Sequence, residues 1–462
     1  MPRPDLAFDT LPLPPHLQAT LQQLGYLAMT PIQAASLPLA LAGRDLMAQA
    51  RTGSGKTAAF ALSLLVNLNP RRFAVQALVL CPTRELADQV TQEIRRLARA
   101  EDNVKALTLC GGSPIRNQLA SLAHGAHIVV GTPGRILDHL ARGTLALDAL
   151  NTLVLDEADR MLDMGFADEI AQVAECCPKA RQTLLFSATY PDGVAKLAAR
   201  YMREPQEVKL AERHAAGQIR QRFYEVAESE RLHAVGLLLQ HFRPVSTLAF
   251  CNTKQQCRDL VAVLQAQGIV ALELHGDLEQ RDRDQVLVQF ANRSCSVLVA
   301  TDVAARGLDI AQLEAVVNVD ISPDPTVHTH RVGRTGRADE AGWAFSLASL
   351  DEMGAVGRID EVQGTPSDWH PLSELTAPAG AGPLRPPMMT LQILGGRKEK
   401  IRPGDVLGAL TKHLGLPGAQ IGKIVVNDFA TYVAVERGVA DQALRGLNAG
   451  KIKGRSVKVR RL

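Results

Sequence analysis

The sequence predicts an α/β protein with two tandem domains built on parallel sheets and a small α/β sandwich behind them. Three observations carry this. Residues 44–202 alternate short apolar runs with helix-period segments, the pattern of βαβ units. A second series of the same kind begins near residue 218. Beyond the Ala-, Pro- and Gly-rich stretch TAPAGAGPLRPP, the order becomes strand, helix, strand, strand, helix, strand. The expected domains are 1–210, 216–375 and 388–462, with 376–387 as a linker.

In the first domain the strand candidates are DLMAQA, QALVLCP, VKALTLC, HIVVGTP, TLVLDEAD and QTLLFSAT. Between them, TRELADQVTQEIRRLARA sets Leu86, Val90, Ile94 and Leu97 on one helical face. The second domain offers TLAFCNT, IVALELHG, CSVLVATD, EAVVNVD and AFSLAS. In the last, TLQILG, GKIVVND, TYVAVE and RSVKVRR read as strands, and DVLGALTKHL and DQALRGLNA as helices, giving an RNA-recognition-like (RRM-like) βαββαβ unit. Alternation puts Val433 and Val435 on one face and Tyr432, Ala434 and Glu436 on the other. Val457 and Val459 point inward, leaving Lys458 and Arg460 outward. The expectation is an open, basic sheet face on which Tyr432, Lys458 and Arg460 bind RNA. NDFATYVAVE departs from the usual aromatic-rich RNA-stacking strand, with Phe429 and Tyr432 its only aromatics.

With 46% hydrophobic and 21% charged residues, the composition is that of a soluble globular protein. No apolar run reaches 18 residues, and MPRPDLAFDTLPLPPHL lacks the apolar segment of a secretory signal, so a cytoplasmic protein off the membrane is expected. Seven scattered cysteines without a C-x-x-C pair argue against zinc or redox sites. The net charge of +3 is unevenly spread. From residue 388 onward there are fourteen Lys or Arg against five acids, a net +9, which leaves −6 on the 387 residues before. The tail is therefore the part suited to a polyanion.

ARTGSGKT, residues 50–57, follows a strand and opens a helix, the setting of a phosphate-binding loop. Backbone amides from Gly53 through Ser54 and Gly55 to Thr57 suit phosphates, Lys56 suits the β and γ oxygens, and Thr57 suits Mg²⁺. Ala50 stands where the common pattern has glycine and is tolerable if its φ stays negative. In LVLDEAD, Asp156 suits Mg²⁺ and Glu157 suits orientation or deprotonation of the attacking water. HRVGRTGR places Arg331, Arg334 and Arg337 within seven residues, and beside an ATP site Arg334 and Arg337 read as arginine fingers.

GYLAMTPIQ, ARTGSGKT, PTRELA, Gly111 with Gly112, TPGR, DEAD, SAT, ATDVAARGLDI and HRVGRTGR resemble, in order and spacing across residues 8–345, the motifs of DEAD-box RNA helicases. The resemblance implies two RecA-like domains, ATP and Mg²⁺ as cofactors, and an RNA-dependent ATPase that unwinds short RNA duplexes. It makes Ala50 the family's own form and adds Arg51 and Thr52 to the nucleotide loop. It gives Gln33 the adenine edge with Thr30 beside it, an aromatic, Phe8 or Tyr26, the base, and Asp309 the ribose. Ser187 and Thr189 become the link between nucleotide state and domain closure. RNA contacts fall on Pro82, Thr83, Arg84, Gly112, Thr132, Pro133 and Arg135, then on Asn252, Thr253, Gly276, Gln280, Arg283, Thr301 and Asp302. These suit phosphates and 2′-OH groups, not base edges.

The tail, including GGRKEKIRPGDVLGALT and IGKI, resembles the RNA-binding domain of the bacterial DEAD-box protein A family. That resemblance implies 23S ribosomal RNA and intermediates of large (50S) ribosomal subunit assembly as partners, no DNA, and a monomer. The competing readings are an ATP-controlled clamp or chaperone on a different RNA, and a DNA translocase.

Overall fold

The computed structural model describes residues 6–50, 53–209, 219–305, 313–336, 341–378, 380 and 382–462. Arg51, Thr52, Asp309 and Arg337 lie outside them. The chain forms two compact units that part between residues 209 and 219.

The first unit carries strands β1 (Leu46–Gln49), β2 (Ala77–Leu80), β3 (Ala106–Leu109), β4 (Ile128–Gly131), β5 (Thr152–Asp156), β6 (Gln182–Ser187) and β7 (Gln206–Lys209). They form one parallel sheet in the order β3-β4-β2-β5-β6-β1-β7. Its central strands carry apolar runs, ALVL in β2 and LVL in β5, because both faces are covered. Successive side chains of a strand point to opposite faces, so Val79, Val154, Leu184 and Phe186 enter one hydrophobic layer while Leu78, Leu80, Leu153 and Leu185 enter the other.

The second unit repeats the plan with β8 (Ile219–Glu225), β9 (Thr247–Cys251), β10 (Ala271–Leu274), β11 (Val297–Thr301), β12 (Ala315–Asn318), β13 (Gly342–Ala348) and β14 (Trp369–His370). Their order, β10-β11-β9-β12-β13-β8-β14, is the same permutation as in the first sheet, again parallel. Strands β7, β8 and β14 escape the sequence reading because QEVK, IRQRFYE and WH are not apolar runs, and β7 and β14 end their sheets.

The same unit holds the tail sheet of β15 (Met388–Ile393), β16 (Ile421–Val426), β17 (Thr431–Glu436) and β18 (Val459–Arg461), antiparallel in the order β16-β17-β15-β18. One face packs Leu391, Ile393, Val433 and Val435 against Leu410, Ala443 and Leu447. The other face corrects an expectation. Thr390, Gln392, Tyr432 and Ala434 are also buried, with Tyr432 only 4% exposed. The helix Gln280–Ala291 and the loop after it cover this face. Asn292 Nδ2 donates to Thr390 Oγ1 at 3.0 Å, the Ser294 and Thr390 hydroxyls pair at 2.7 Å, and the Met388 amide donates to the Arg293 carbonyl. The alternation was read correctly, but the second face belongs to a domain interface, so Tyr432 is not an open stacking surface. Lys458 and Arg460 remain exposed at its margin, Arg460 donating to Gln392 Oε1 at 2.6 Å.

Candidate active site

In a parallel sheet every strand ends at the same edge, where ligands bind in open α/β folds. The phosphate loop follows β1, the acidic motif ends β5 and SAT ends β6, and these three strands are neighbours in the order β5-β6-β1. The Ala50 amide donates to the Ser187 carbonyl at 3.0 Å, and Gln49 Nε2 to the Ala188 carbonyl at 3.1 Å. Loop and SAT are thus stitched together. Ala50 is absent from the described residues with positive φ, which meets the condition for alanine there.

Gly53 and Gly55 adopt φ of 81° and 93°, and Gly55 caps the helix Lys56–Val66 whose amide end faces the loop. A Cβ on Gly55 would lie 2.6 Å from Gln33 Nε2. Gln33 is buried at the start of the helix Pro31–Leu41, where Thr30 and Gln33 form a reciprocal capping box. Its Oε1 accepts from the Thr30 amide at 2.8 Å and its Nε2 donates to the Gly55 carbonyl at 3.0 Å. The amide assigned to adenine is therefore already tied to the phosphate loop. Phe8 is buried and meets Tyr26 edge-on at 6.1 Å, while the Tyr26 hydroxyl donates to Glu93.

Lys56 and Asp156 are both buried, and Lys56 Nζ and Asp156 Oδ1 have no hydrogen-bond partner. Burial pushes the Asp156 carboxyl up to about 6, with Lys56 opposing and Glu157 adding to the shift. Glu157 holds φ 53°, ψ 54°, a left-handed conformation that costs a side-chain-bearing residue about 1–3 kcal/mol and that clusters at functional sites. Asp159 was not singled out in the sequence. Its Oδ2 accepts from both the amide and the hydroxyl of Thr189 at 2.9 Å, its amide donates to Ser187 Oγ at 3.2 Å, and Ser187 Oγ donates to the Thr189 carbonyl at 2.6 Å. Burial works against the Asp159 charge, but the Thr189 donors hold its carboxyl below the usual range. The signal was present: Asp159 lies three residues after Asp156 in a motif already recognised.

The other half of the same edge collects the RNA candidates, because β3, β4 and β2 are neighbours. Pro82, Thr83 and Arg84 follow β2; Thr83 caps the helix Arg84–Leu97, and Arg84 Nη1 is buried without a partner. Gly112, at φ 73°, follows β3, and Thr132, Pro133 and Arg135 follow β4 at the start of the helix Pro133–Ala141.

In the second unit the equivalent neighbours β10, β11 and β9 lead into Gly276, into Thr301 with Asp302, and into Asn252 with Thr253. Arg331 is buried and grips both Asp302 oxygens at 2.8 and 2.7 Å, the Asp320 carbonyl at 2.6 Å and Asn252 Oδ1 at 3.2 Å. It braces these loops. Gln280 Nε2 donates to Asp284, and Arg283 Nη1 reaches the His275 carbonyl at 3.5 Å. Arg334 is buried in the turn after the helix Pro325–Val332.

Comparison with known proteins follows the same divisions. Residues 30–197 match the DEAD/DEAH box helicase family, 230–339 the helicase conserved C-terminal domain, and 390–461 the DbpA RNA binding domain. The chain is 53% identical over 459 residues to ATP-dependent RNA helicase DbpA of Escherichia coli, covering 99% of each. It is 43% identical over 354 residues to DEAD-box ATP-dependent RNA helicase CshA of Geobacillus kaustophilus, 76% of each chain. Among solved structures, S. cerevisiae Dbp5 bound to RNA and ADP BeF3 superposes with a TM-score of 0.74 at 31% identity, over 80% of this chain and 96% of that one.

Proposed function

This chain belongs to the DEAD-box ATP-dependent RNA helicases, and on that premise we propose that it melts short duplexes in 23S ribosomal RNA during assembly of the large ribosomal subunit. The observation that carries the catalytic half is the buried, unpartnered pair of Lys56 Nζ and Asp156 Oδ1. Leaving such groups unsatisfied is costly, and a nucleotide phosphate with its cation would satisfy both. Thr57 and Asp156 would hold Mg²⁺, which when bound neutralises charge on the β and γ oxygens. Gly53 to Thr57 cradle phosphates, Lys56 reaches them, and Glu157 orients the attacking water. Asp159, bonded directly to Thr189 and Ser187, passes the state of this edge to SAT. Asp309 and Arg337, with Arg334, complete the proposed site from the second domain.

An arginine finger is worth roughly 10³–10⁵ in rate. Hydrolysis is then nearly off until RNA spanning both domains brings Arg334 and Arg337 to the nucleotide. Equal ATPase rates with and without RNA would sink this reading, and stimulation by DNA as strong as by RNA would favour the translocase.

For the address, the buried sheet face turns attention to the loops of the tail. Gly396 packs so tightly on residues 427 and 428 that a Cβ would lie 2.1 Å from the Asn427 carbonyl. This zips the loop after β15 to the turn before β17 and presents Lys398 4.2 Å over the ring of Phe429, which is 64% exposed. A cation stacked on an exposed aromatic suits an unpaired base beside a phosphate. Lys398→Ala with Phe429→Ala is expected to abolish the preference for a 23S ribosomal RNA fragment over unrelated RNA in ATPase stimulation, while unrelated RNA stimulates as before.

A further inference from the structure

We propose that Gln118, outside every motif assigned to ATP or RNA, is a positioning residue that sets Arg135 for a phosphate of bound RNA. The inference rests on the reading of Arg135 as an RNA contact. Gln118 is buried on the helix Ile115–Leu122, and its side-chain amide joins three parts of the RNA-facing edge. Nε2 donates to the Cys110 carbonyl at 2.9 Å, immediately before Gly111 and Gly112. Oε1 accepts from Arg135 Nη1 at 3.0 Å and pairs with His139 Nε2 at 2.9 Å.

The chemistry fixes the orientation of the amide. A guanidinium only donates, so the atom facing Arg135 is the amide oxygen. That oxygen obliges His139 to donate from Nε2, while Nδ1 and the His139 carbonyl share the single Thr144 hydroxyl, whose Oγ1 stands 2.9 and 3.0 Å from them. Burial holds His139 below its ordinary pKa, in keeping with a neutral ring, although Asp138 beside it favours the charge and Arg135 and Arg142 oppose it.

Arg135 and His139 are four residues apart on the helix Pro133–Ala141, so one face presents both to Gln118. Arg135 Nη1 also donates to the Ser113 carbonyl at 3.1 Å, and its Nε stands 3.8 Å from Asp138. Nη1 and Nε are thereby directed at the protein, and 15% of the side chain is exposed, so Nη2 is the nitrogen left for a phosphate. Without Gln118, Arg135 keeps one carbonyl and a long ion pair, and the loop carrying Gly112 loses its tie to the same helix.

The test is a cycle on the full-length chain, measuring binding of an oligouridylate with a non-hydrolysable ATP analogue across a salt series. Arg135→Ala should weaken binding and reduce the slope of log affinity against log salt by about 0.7, the value of one phosphate contact on a single strand. Gln118→Met, which keeps the volume, should weaken binding roughly three- to thirtyfold and reduce the slope likewise. The double variant should be no weaker than Arg135→Ala alone. Gln118→Glu is the second variant should Gln118→Met not fold; its charge offsets that of Arg135, so the slope falls again. Multiplicative effects in the double variant, or an unchanged slope in both Gln118 variants, overturn the inference while leaving Arg135 an RNA contact. An Arg135→Ala chain that binds like wild type overturns that reading instead, and this inference with it.

Discussion

At Gly55 two demands meet in one residue. Its φ of 93° is a conformation that costs a side-chain-bearing residue about 1–2 kcal/mol, and its missing Cβ leaves the space that Gln33 Nε2 occupies. Gly55→Ala is therefore expected to break the Gln33 bond to the loop and weaken ATP about tenfold, read by titration with a fluorescent nucleotide; wild-type affinity would show that the loop adapts freely. A second residue reports through acid. His328 is fully buried, neither ring nitrogen has a hydrogen-bond partner, and the ring stacks on Phe223 at 5.9 Å. Burial lowers its pKa to about 4, Arg331 helping and Asp360 opposing. A depressed histidine pKa means that the unfolded chain binds the proton more readily, so stability is intact above about 6.5 and falls as pH drops toward 4. At pH 5 the loss is about 2 kcal/mol. Both tryptophans, Trp343 and Trp369, lie in the second domain, so urea midpoints by tryptophan fluorescence isolate it. His328→Phe should flatten that acid-side decline, and an identical decline would assign it to other groups.

Among elements, the interface between β15 and the loop after the helix Gln280–Ala291 is held by Thr390, which serves both Asn292 and Ser294. Thr390→Val keeps the shape but strands two buried polar groups, at about 1–3 kcal/mol each. Hydrogen exchange in β15 and β17 should then quicken, and unchanged exchange would mean that apolar packing alone holds the face. This interface also marks where the sequence stops being legible. Period-2 alternation separated Val433 and Val435 from Tyr432 and Ala434 correctly, because side-chain direction is a local property. What covers the second face is a long-range fact. Thr390, Gln392, Tyr432 and Ala434 carry no charge, a composition closer to an interface than to an RNA-binding surface, and that was the overlooked signal. By contrast, the loops after β1, β5 and β6 were legible because parallel strands deliver their ends to one edge whatever lies between them. Gln118 and His139 were not, since a lone glutamine on a helix has no chemistry until its three partners are in place.

At the scale of the whole molecule, the two parallel sheets share one strand permutation, so the loops assigned to RNA leave three adjacent strands in each, β3-β4-β2 and β10-β11-β9. The folds thus repeat the edge proposed to bind the RNA strand, while the tail, with its +9 net charge, is the singular part. Deleting everything after residue 375 is the obvious way to ask whether the tail directs the helicase, but the structure makes it an impure test. Leu384 packs on the second domain's core, and the tail sheet buries the polar side chains of Asn292 and Ser294. Truncation removes both, so the second domain is expected to lose stability together with RNA preference. Its tryptophan-monitored urea midpoint should fall, whereas the Lys398→Ala, Phe429→Ala chain should keep the wild-type midpoint and lose only the preference, because both side chains sit on the exposed loops away from the interface. A truncated chain with an unchanged midpoint would show that docking adds nothing to the second domain. A doubly substituted chain that still prefers the 23S fragment would move the address elsewhere on the tail, to cations such as Lys458 and Arg460 at the margin of the covered face.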